Sequence, residues 1–405
     1  MKTLTTVLFA SDITKRISLI STLRTLGIVK LHVYNSDYNI PTPFPLLNDL
    51  DIVVCDSFSN LEEFKKFTSL LNRFDFFTVI ESEKLNKALK WGIKKLLINS
   101  KKYHGGYYRD AIAEPQMFSL LNKTATLKKI QQHNNTDNKT GTTETPQYIS
   151  TQNIPDSENQ DTDNLVVLYR PRFNLSTNKI CGMRALPFHI NSDKELILLS
   201  DDSKPHDGAN SNLNAFIKTF NQGIQLHRHV RNMGETLSFT YTINPASLQE
   251  KDFSANLIKQ IHHSGVPFNE IILEITGAGE LHIDTQTINN ITTLTYYNVQ
   301  LSLCDFGICS TSIQILSELP FSSLKVTPYL TKRLHHSTHY NIMKFLVSMA
   351  STLNVKLIAD GVKTEQQRTN LQCLGVDIAE GDFYHKPMHA DRVLSLILEI
   401  QSINQ

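Results

Sequence analysis

Short apolar runs, many ending in a polar residue, mark both ends of this chain, and a long stretch almost without apolar residues separates them. In the first part, TVLFA (6–10), IVVCD (52–56), FFTVI (76–80) and KLLI (95–98) have the length and continuity of strands buried on both faces of a parallel sheet. Between the second and third of these the period becomes helical. In NLEEFKKFTSLLNRF, Asn60 is placed as an N-cap with Glu63 at the capping-box position, and Phe64, Phe67 and Leu71 fall on one face. This order predicts a doubly wound α/β sheet whose chemistry lies at the carboxyl ends of its strands.

From about Thr126 to Asn164 the chain is dominated by Asn, Thr, Gln and Asp, which predicts a flexible linker. The expected organisation is therefore an α/β unit over 1–125, a polar linker over 126–164, and a second unit over 165–405. In that second unit LVVLYRPRFN opens a series continued by LSFTYTIN (237–244), EIILEIT (270–276), VQLSLCDFG (299–307), SSLKVT (322–327) and VKLIADGV (355–362). Helix-forming stretches separate most of these runs. Polar residues at successive strand ends are how a TIM barrel builds a site on its C-terminal face.

Composition narrows the chemistry. The 405 residues are 40% hydrophobic, enough for well-filled cores, and 40 basic against 39 acidic residues leave a net charge of +1. That balance gives no electrostatic reason to expect a nucleic-acid or membrane partner. Asp12 and Lys15 interrupt the first apolar run too early for a signal peptide, and no run of about 18 apolar residues occurs, so a cytoplasmic protein is expected. The five cysteines (Cys55, Cys181, Cys304, Cys309, Cys373) lack CxxC spacing and read as reduced thiols. His335, His336 and His339 are spaced as metal ligands on a helix, but no cysteine or acidic cluster adjoins them, so a solvated segment is expected. The basic stretch QLHRHVRN is likewise read as a solvated helical face.

The first unit resembles the receiver domain of response regulators. That resemblance implies an acidic pair for magnesium, here reduced to Ser11 and Asp12, and a phospho-acceptor aspartate, here Asp56. Where the family has Lys-Pro after the fifth strand, WGIKKLLINSKK places Asn99 and Ser100. Loss of a magnesium carboxylate and of the lysine removes the charge stabilisation that phosphoryl transfer needs.

The blocks GMRAL, INPAS, LEIT, CDFG, LKVT, ADGVKTEQQ and EGDFYHKP stand in the order and spacing of the EAL domain, the barrel that hydrolyses cyclic di-GMP in bacterial signalling, which residues 165 to about 398 resemble. The resemblance implies a two-metal site bridged by carboxylates, a lysine near the attacking water and an arginine on the substrate phosphate. Lys325 stands at the catalytic lysine, and Asn244 and Glu274 at metal-ligand positions. The glutamate that names the family is Arg184, and the arginine four residues later is Phe188. Of the acidic pair, Asp305 remains and its predecessor is Cys304; a further aspartate is Thr327. One glutamate has shortened to Asp360 and its companion is Lys363, while Glu380, Gly381 and Asp382 replace a Gln-Gly-Tyr block and Arg170 replaces a glutamine. Ile308 and Cys309 replace a Thr-Gly pair in the loop over the metals. With so many oxygen ligands replaced, poor metal binding, no cofactor and no catalysis are expected. Arg184 is expected to lie between Glu274 and Asp305 as an internal counter-charge. The expected function is that of an inactive EAL-type signalling protein acting on a protein partner of unknown identity, with homo-oligomerisation left open. A receptor that binds cyclic di-GMP without cleaving it, and a weakened phosphodiesterase, are the alternatives.

Overall fold

The computed structural model describes residues 4–34, 49–58, 60–74, 77–100, 102–109, 114–136, 165–191, 195–199, 209–276, 281–306 and 312–403. The chain divides into two units, Met1–Ser157 and Glu158–Gln405.

In the first unit β1 (Thr5–Phe9), α1 (Ile13–Thr25), β2 (Lys30–Tyr34), β3 (Ile52–Cys55), α2 (Leu61–Arg73), β4 (Thr78–Ser82), α3 (Lys87–Asn99), β5 (Tyr103–Tyr108) and α4 (Glu114–Thr136) follow in order. The strands form a parallel sheet in the order β2-β1-β3-β4-β5, the 2-1-3-4-5 arrangement of one common doubly wound fold. β1, β3 and β4 are buried along their full length, as their unbroken apolar runs predict. Asn60 caps α2 by accepting from the Glu63 amide at 3.0 Å, and Phe64, Phe67 and Leu71 are buried.

KLLI is not the fifth strand. It lies inside α3, where Leu89, Ile93, Leu96 and Leu97 form the buried face of a helix. A four-residue apolar run serves either element, and here the periodicity of its surroundings decides. The true fifth strand, YHGGYY, carries two glycines, one of them (Gly106) at φ +134°, beside a register shift against β4. Asn99 and Ser100 are consequently the end of a helix rather than the residues after β5. α4 also carries helix through residue 136, eleven residues into the expected linker; the rest of that linker lies outside the described residues.

The second unit runs β6 (Leu165–Asn174), β7 (Lys179–Ile190), β8 (Leu196–Leu198), α5 (Ala209–Asn232), β9 (Ser238–Ile243), α6 (Phe253–Ser264), β10 (Ile271–Ile275), α7 (Thr285–Tyr296), β11 (Gln300–Phe306), α8 (Ser312–Glu318), β12 (Ser323–Val326), α9 (Pro328–Lys332), α10 (Ser337–Leu353), β13 (Lys356–Ala359), α11 (Glu365–Leu374), β14 (Ile378–Ala379) and α12 (Ala390–Ile403). Eight strands close a barrel in the order β6-β14-β13-β12-β11-β10-β9-β7, and pairing of β7 with β6 completes the ring. Seven are parallel. β6 is reversed and pairs antiparallel with both neighbours. The end of β7 passes beyond β9 and pairs with the short edge strand β8.

QLHRHVRN lies on α5, but it is only partly a solvated face. His227 is buried, stacks on Phe239 at 4.2 Å between ring centres and contacts Glu270 at 3.0 Å, and Arg231 pairs with the same carboxylate. His335 and His336 are exposed and precede α10, with His336 at its N-cap position. Among the described residues no group of three or more His, Cys, Asp or Glu side chains is arranged to hold a metal ion. The four described cysteines form no disulfide. No helix of the described residues is long and apolar enough to cross a membrane.

Candidate functional site

The barrel's interior gathers charge from nearly every strand. β10 supplies Glu274, β12 supplies Lys325, and Asp360 and Glu380 follow the ends of β13 and β14. Arg184 comes from β7, and Arg170 and Arg172 come from β6, where the two-residue period of a strand turns both inward. Arg170 and Arg184 are cross-strand partners. Glu274, Glu380, Arg172 and Lys325 are almost wholly buried.

Buried charges must be paired, and here the pairing is dense. Arg172 donates from Nη2 to Glu274 Oε2 at 2.7 Å, from Nε to Glu380 Oε2 at 2.7 Å and from Nη1 to Thr240 Oγ1 at 2.6 Å. Arg184 lies 3.0 Å from Glu274 Oε1 through Nη2, and its Nη1 donates to Glu380 Oε1 at 3.0 Å and to Asp360 Oδ2 at 3.4 Å. Lys325 donates to Glu274 Oε1, with Asp360 Oδ2 at 3.7 Å and Glu380 Oε1 at 3.9 Å. At the rim Arg170 pairs with Asp382 at 3.0 Å and reaches Asp360 at 4.0 Å. Three buried cations thus face three carboxylates, and all four oxygens of Glu274 and Glu380 already lie on nitrogen cations.

The protonation states follow. Burial pushes the Glu274 and Glu380 carboxyls up, but the surrounding cations outweigh it. Arg184, Lys325 and Arg172 hold Glu274 well below the usual carboxylate range, and Arg172, Arg184 and Lys325 bring Glu380 down to about 2. Asp360 moves the other way, raised by burial and by the Glu380 charge against the pull of Lys325 and Arg184. Burial pushes the Cys304 thiol well up, so it is a neutral donor, and it donates to Asp305 Oδ2 at 3.0 Å.

Several expected site residues do other work. Arg184 is the counter-charge its position suggested, but its carboxylate partners are Glu274, Glu380 and Asp360, not Asp305. Asp305 sits at φ +53°, beside a register irregularity between Leu303 and Phe306, and takes the thiol of its neighbour instead. Asn244 accepts from the Ala246 amide at 2.9 Å, capping a short helical turn. Thr327 caps α9. Lys363 is exposed and lines the cleft at the barrel mouth, a space of ≈ 560 Å³ shared with Arg170, Phe188, Lys332 and Leu198. Gly307, Ile308 and Cys309 lie outside the described residues. The residue that sequence reasoning missed is Arg172. A second arginine two residues after Arg170, inside an apolar strand, was the available signal.

These residues do not fit two magnesium ions. Magnesium takes oxygen ligands at about 2.0–2.1 Å in near-octahedral geometry. The buried carboxylate oxygens are committed to Arg172, Arg184 and Lys325, the Asn244 oxygen accepts a backbone amide, and Cys304 offers a protonated sulfur.

In the first unit Asp56 follows β3 and is buried. It accepts from the Tyr108 hydroxyl at 2.8 Å and from Ser57 Oγ at 3.1 Å, with Lys15 Nζ at 3.9 Å. Ser11 donates to Ser57 through both its hydroxyl (2.7 Å) and its amide (3.0 Å), and Asp12 caps α1 on the Lys15 amide.

The profile of the EAL domain matches residues 156–387. A cyclic di-GMP phosphodiesterase of Pseudomonas aeruginosa, RocR, is 25% identical over 174 residues, 43% of this chain and 44% of that protein. The cyclic di-GMP phosphodiesterase PdeA of Borreliella burgdorferi is 32% identical over 151 residues, 37% of this chain and 22% of that protein. The chain therefore spans less than half the length of these two relatives. Among solved structures, the PaMucR phosphodiesterase in complex with c-di-GMP superposes with a TM-score of 0.53 at 22% identity, covering 57% of this chain and 94% of that one. With the barrel, its motif order and a family profile that spans more than half of the sequence, the chain belongs to the EAL domain family.

Proposed function

We propose that this chain is a catalytically silent EAL-type signalling protein that acts through contact with a protein partner, its first unit being a receiver-like domain that relays no phosphoryl group. One observation carries the reading: the Arg184 guanidinium rests on Glu274, Asp360 and Glu380, so the carboxylates a two-metal mechanism requires are already neutralised from within. Lys325, the vestigial catalytic lysine, serves the same pairing.

A second reading, a receptor that binds cyclic di-GMP without cleaving it, is favoured by the mouth of the barrel. The cleft is lined by Arg170, Lys332 and Lys363, and the two lysines have no carboxylate partner among the described residues. Phosphate groups pair readily with such a rim. Calorimetric titration of the full chain with cyclic di-GMP, with and without magnesium, together with chromatography of the products, separates the readings. No heat and no linear product is the expected result. Heat without product establishes the receptor reading, and magnesium- or manganese-dependent linearisation that disappears in Lys325→Ala overturns both.

A further inference from the structure

The interior of a TIM barrel is ordinarily filled by layers of bulky side chains, so it is a packed core and not a channel. In this barrel the half below the ion cluster is not filled that way. Gly182, Ser238, Thr240 and Ser323 stand among its lining positions, with the exposed Lys356 and Asp377 at its outer edge, around a recessed space of ≈ 110 Å³ at the end of the barrel opposite the mouth. Arg172 forms its roof.

Two independent features show what this space is built for. Ser323 lines the chamber at 4% exposure, and its hydroxyl has no hydrogen-bond partner among the described residues. Arg172 has five N–H donors, of which three are used by Glu274, Glu380 and Thr240, leaving one hydrogen on each Nη. Donors and acceptors therefore converge on one small polar space. Buried polar groups in this position are satisfied by ordered water or by an ion. Charge decides between them: the three buried cations above the chamber already face three carboxylates, and the two exposed charges on its lining, Lys356 and Asp377, are of opposite sign, so no net charge calls for an anion.

We infer that the lower half of the barrel is a built water site, in which ordered water molecules bridge the Arg172 guanidinium to the hydroxyl of Ser323 and hydrate the ion cluster from the face opposite the mouth. This inference does not depend on the proposed function. An enzyme, a receptor and an adaptor with this barrel would all carry it.

The test is a crystal structure of the full chain, grown with sodium bromide, at a resolution where ordered water is resolved, joined to the melting temperatures of two variants. Expected are waters within hydrogen-bond distance of Arg172 and Ser323 and no anomalous bromide signal in the chamber. Ser323→Ala should melt close to the parent, because water remains. Ser323→Leu should melt several degrees lower, because the leucine displaces water that Arg172 needs. An empty chamber in the density, or a bromide ion beside Arg172, overturns the inference. So does a Ser323→Leu variant that melts above the parent, since filling a dry cavity stabilises a protein. If Ser323→Leu does not fold, the density alone decides.

Discussion

At position 184, where the resemblance to the EAL family implies a carboxylate, the chain carries a guanidinium, and its partners are Glu274, Glu380 and Asp360. A metal ion in the family's site draws carboxylates together; here Arg184 does so with a planar fork of donors that two carboxylates share. The side chain is only 12% exposed, so its removal leaves Glu274 and Glu380 with less compensation in an interior shielded from bulk solvent. Arg184→Ala is expected to cost about 3–5 kcal/mol and to make stability respond to magnesium, which would then meet carboxylate oxygens freed of a competitor. The wild type should melt at the same temperature in magnesium and in EDTA. Thermal unfolding of both proteins under both conditions checks this, and a wild type stabilised by magnesium would contradict it. The position was legible in the sequence because the motif around it is intact. Of its partners Glu274 was legible too, and Glu380 and Asp360 were not. Asp305 was named for its motif, and the choice of Glu380 and Asp360 over it depends on a positive φ and a register irregularity at the end of β11 that no periodicity displays. Arg172 escaped because a charged residue within an apolar strand declares its burial only when the barrel closes around it.

Elements were legible where one pattern had one solution. β9, β10, β11 and β12 appear within a residue or two of their apolar runs and β13 within three, since a strand walled in on both faces has little latitude. β5 was not legible, because two adjacent glycines interrupt its apolar pattern, and KLLI was misplaced because a four-residue run fits a helix face as well as a strand. β8 was missed for a different reason: Leu196, Ile197, Leu198 and Leu199 are all more than a third exposed, so their apolar character reports an edge and not a core. The connection after β14 is the element on which the site's geometry most depends, because Glu380 and Asp382 flank Gly381. This glycine sits at φ +152°, and a Cβ there would lie 2.3 Å from both the amide nitrogen and the carbonyl oxygen of Val362. Backbone on both sides leaves nothing flexible to yield. Gly381→Ala is therefore expected to destabilise the chain by about 2–3 kcal/mol through displacement of the turn that carries the ion-paired Glu380 and Asp382. Urea unfolding measures this directly, and an unchanged midpoint would show that the turn relaxes without penalty.

Across the whole chain the two units repeat one theme under the proposed function: each retains the carboxylate of a magnesium-dependent site and satisfies it from within. In the barrel the substitutes are Arg172, Arg184 and Lys325. In the first unit they are Tyr108, Ser57 and Lys15 around Asp56, while Asp12, the remaining acidic neighbour, caps α1. Tyr108 ends β5, so a neutral donor from the fifth strand touches the carboxylate. Burial and the neighbouring Asp56 charge push the Tyr108 hydroxyl well above its usual range, which keeps it protonated and donating at any physiological pH. A phosphoryl group on Asp56 would have to displace that hydroxyl, with no second acidic residue at Ser11 to hold magnesium. Beryllofluoride with magnesium is accordingly expected to leave the melting temperature of the full chain unchanged. Tyr108→Phe should lower stability by about 1.5–3 kcal/mol, the usual worth of a buried hydrogen bond to a charged group. The two measurements bear on separate claims. A beryllofluoride-dependent shift abolished in Asp56→Asn would make the first unit a working receiver despite its altered neighbours, whereas a Tyr108→Phe variant as stable as the parent would mean that Ser57 and Lys15 suffice to hold the carboxylate.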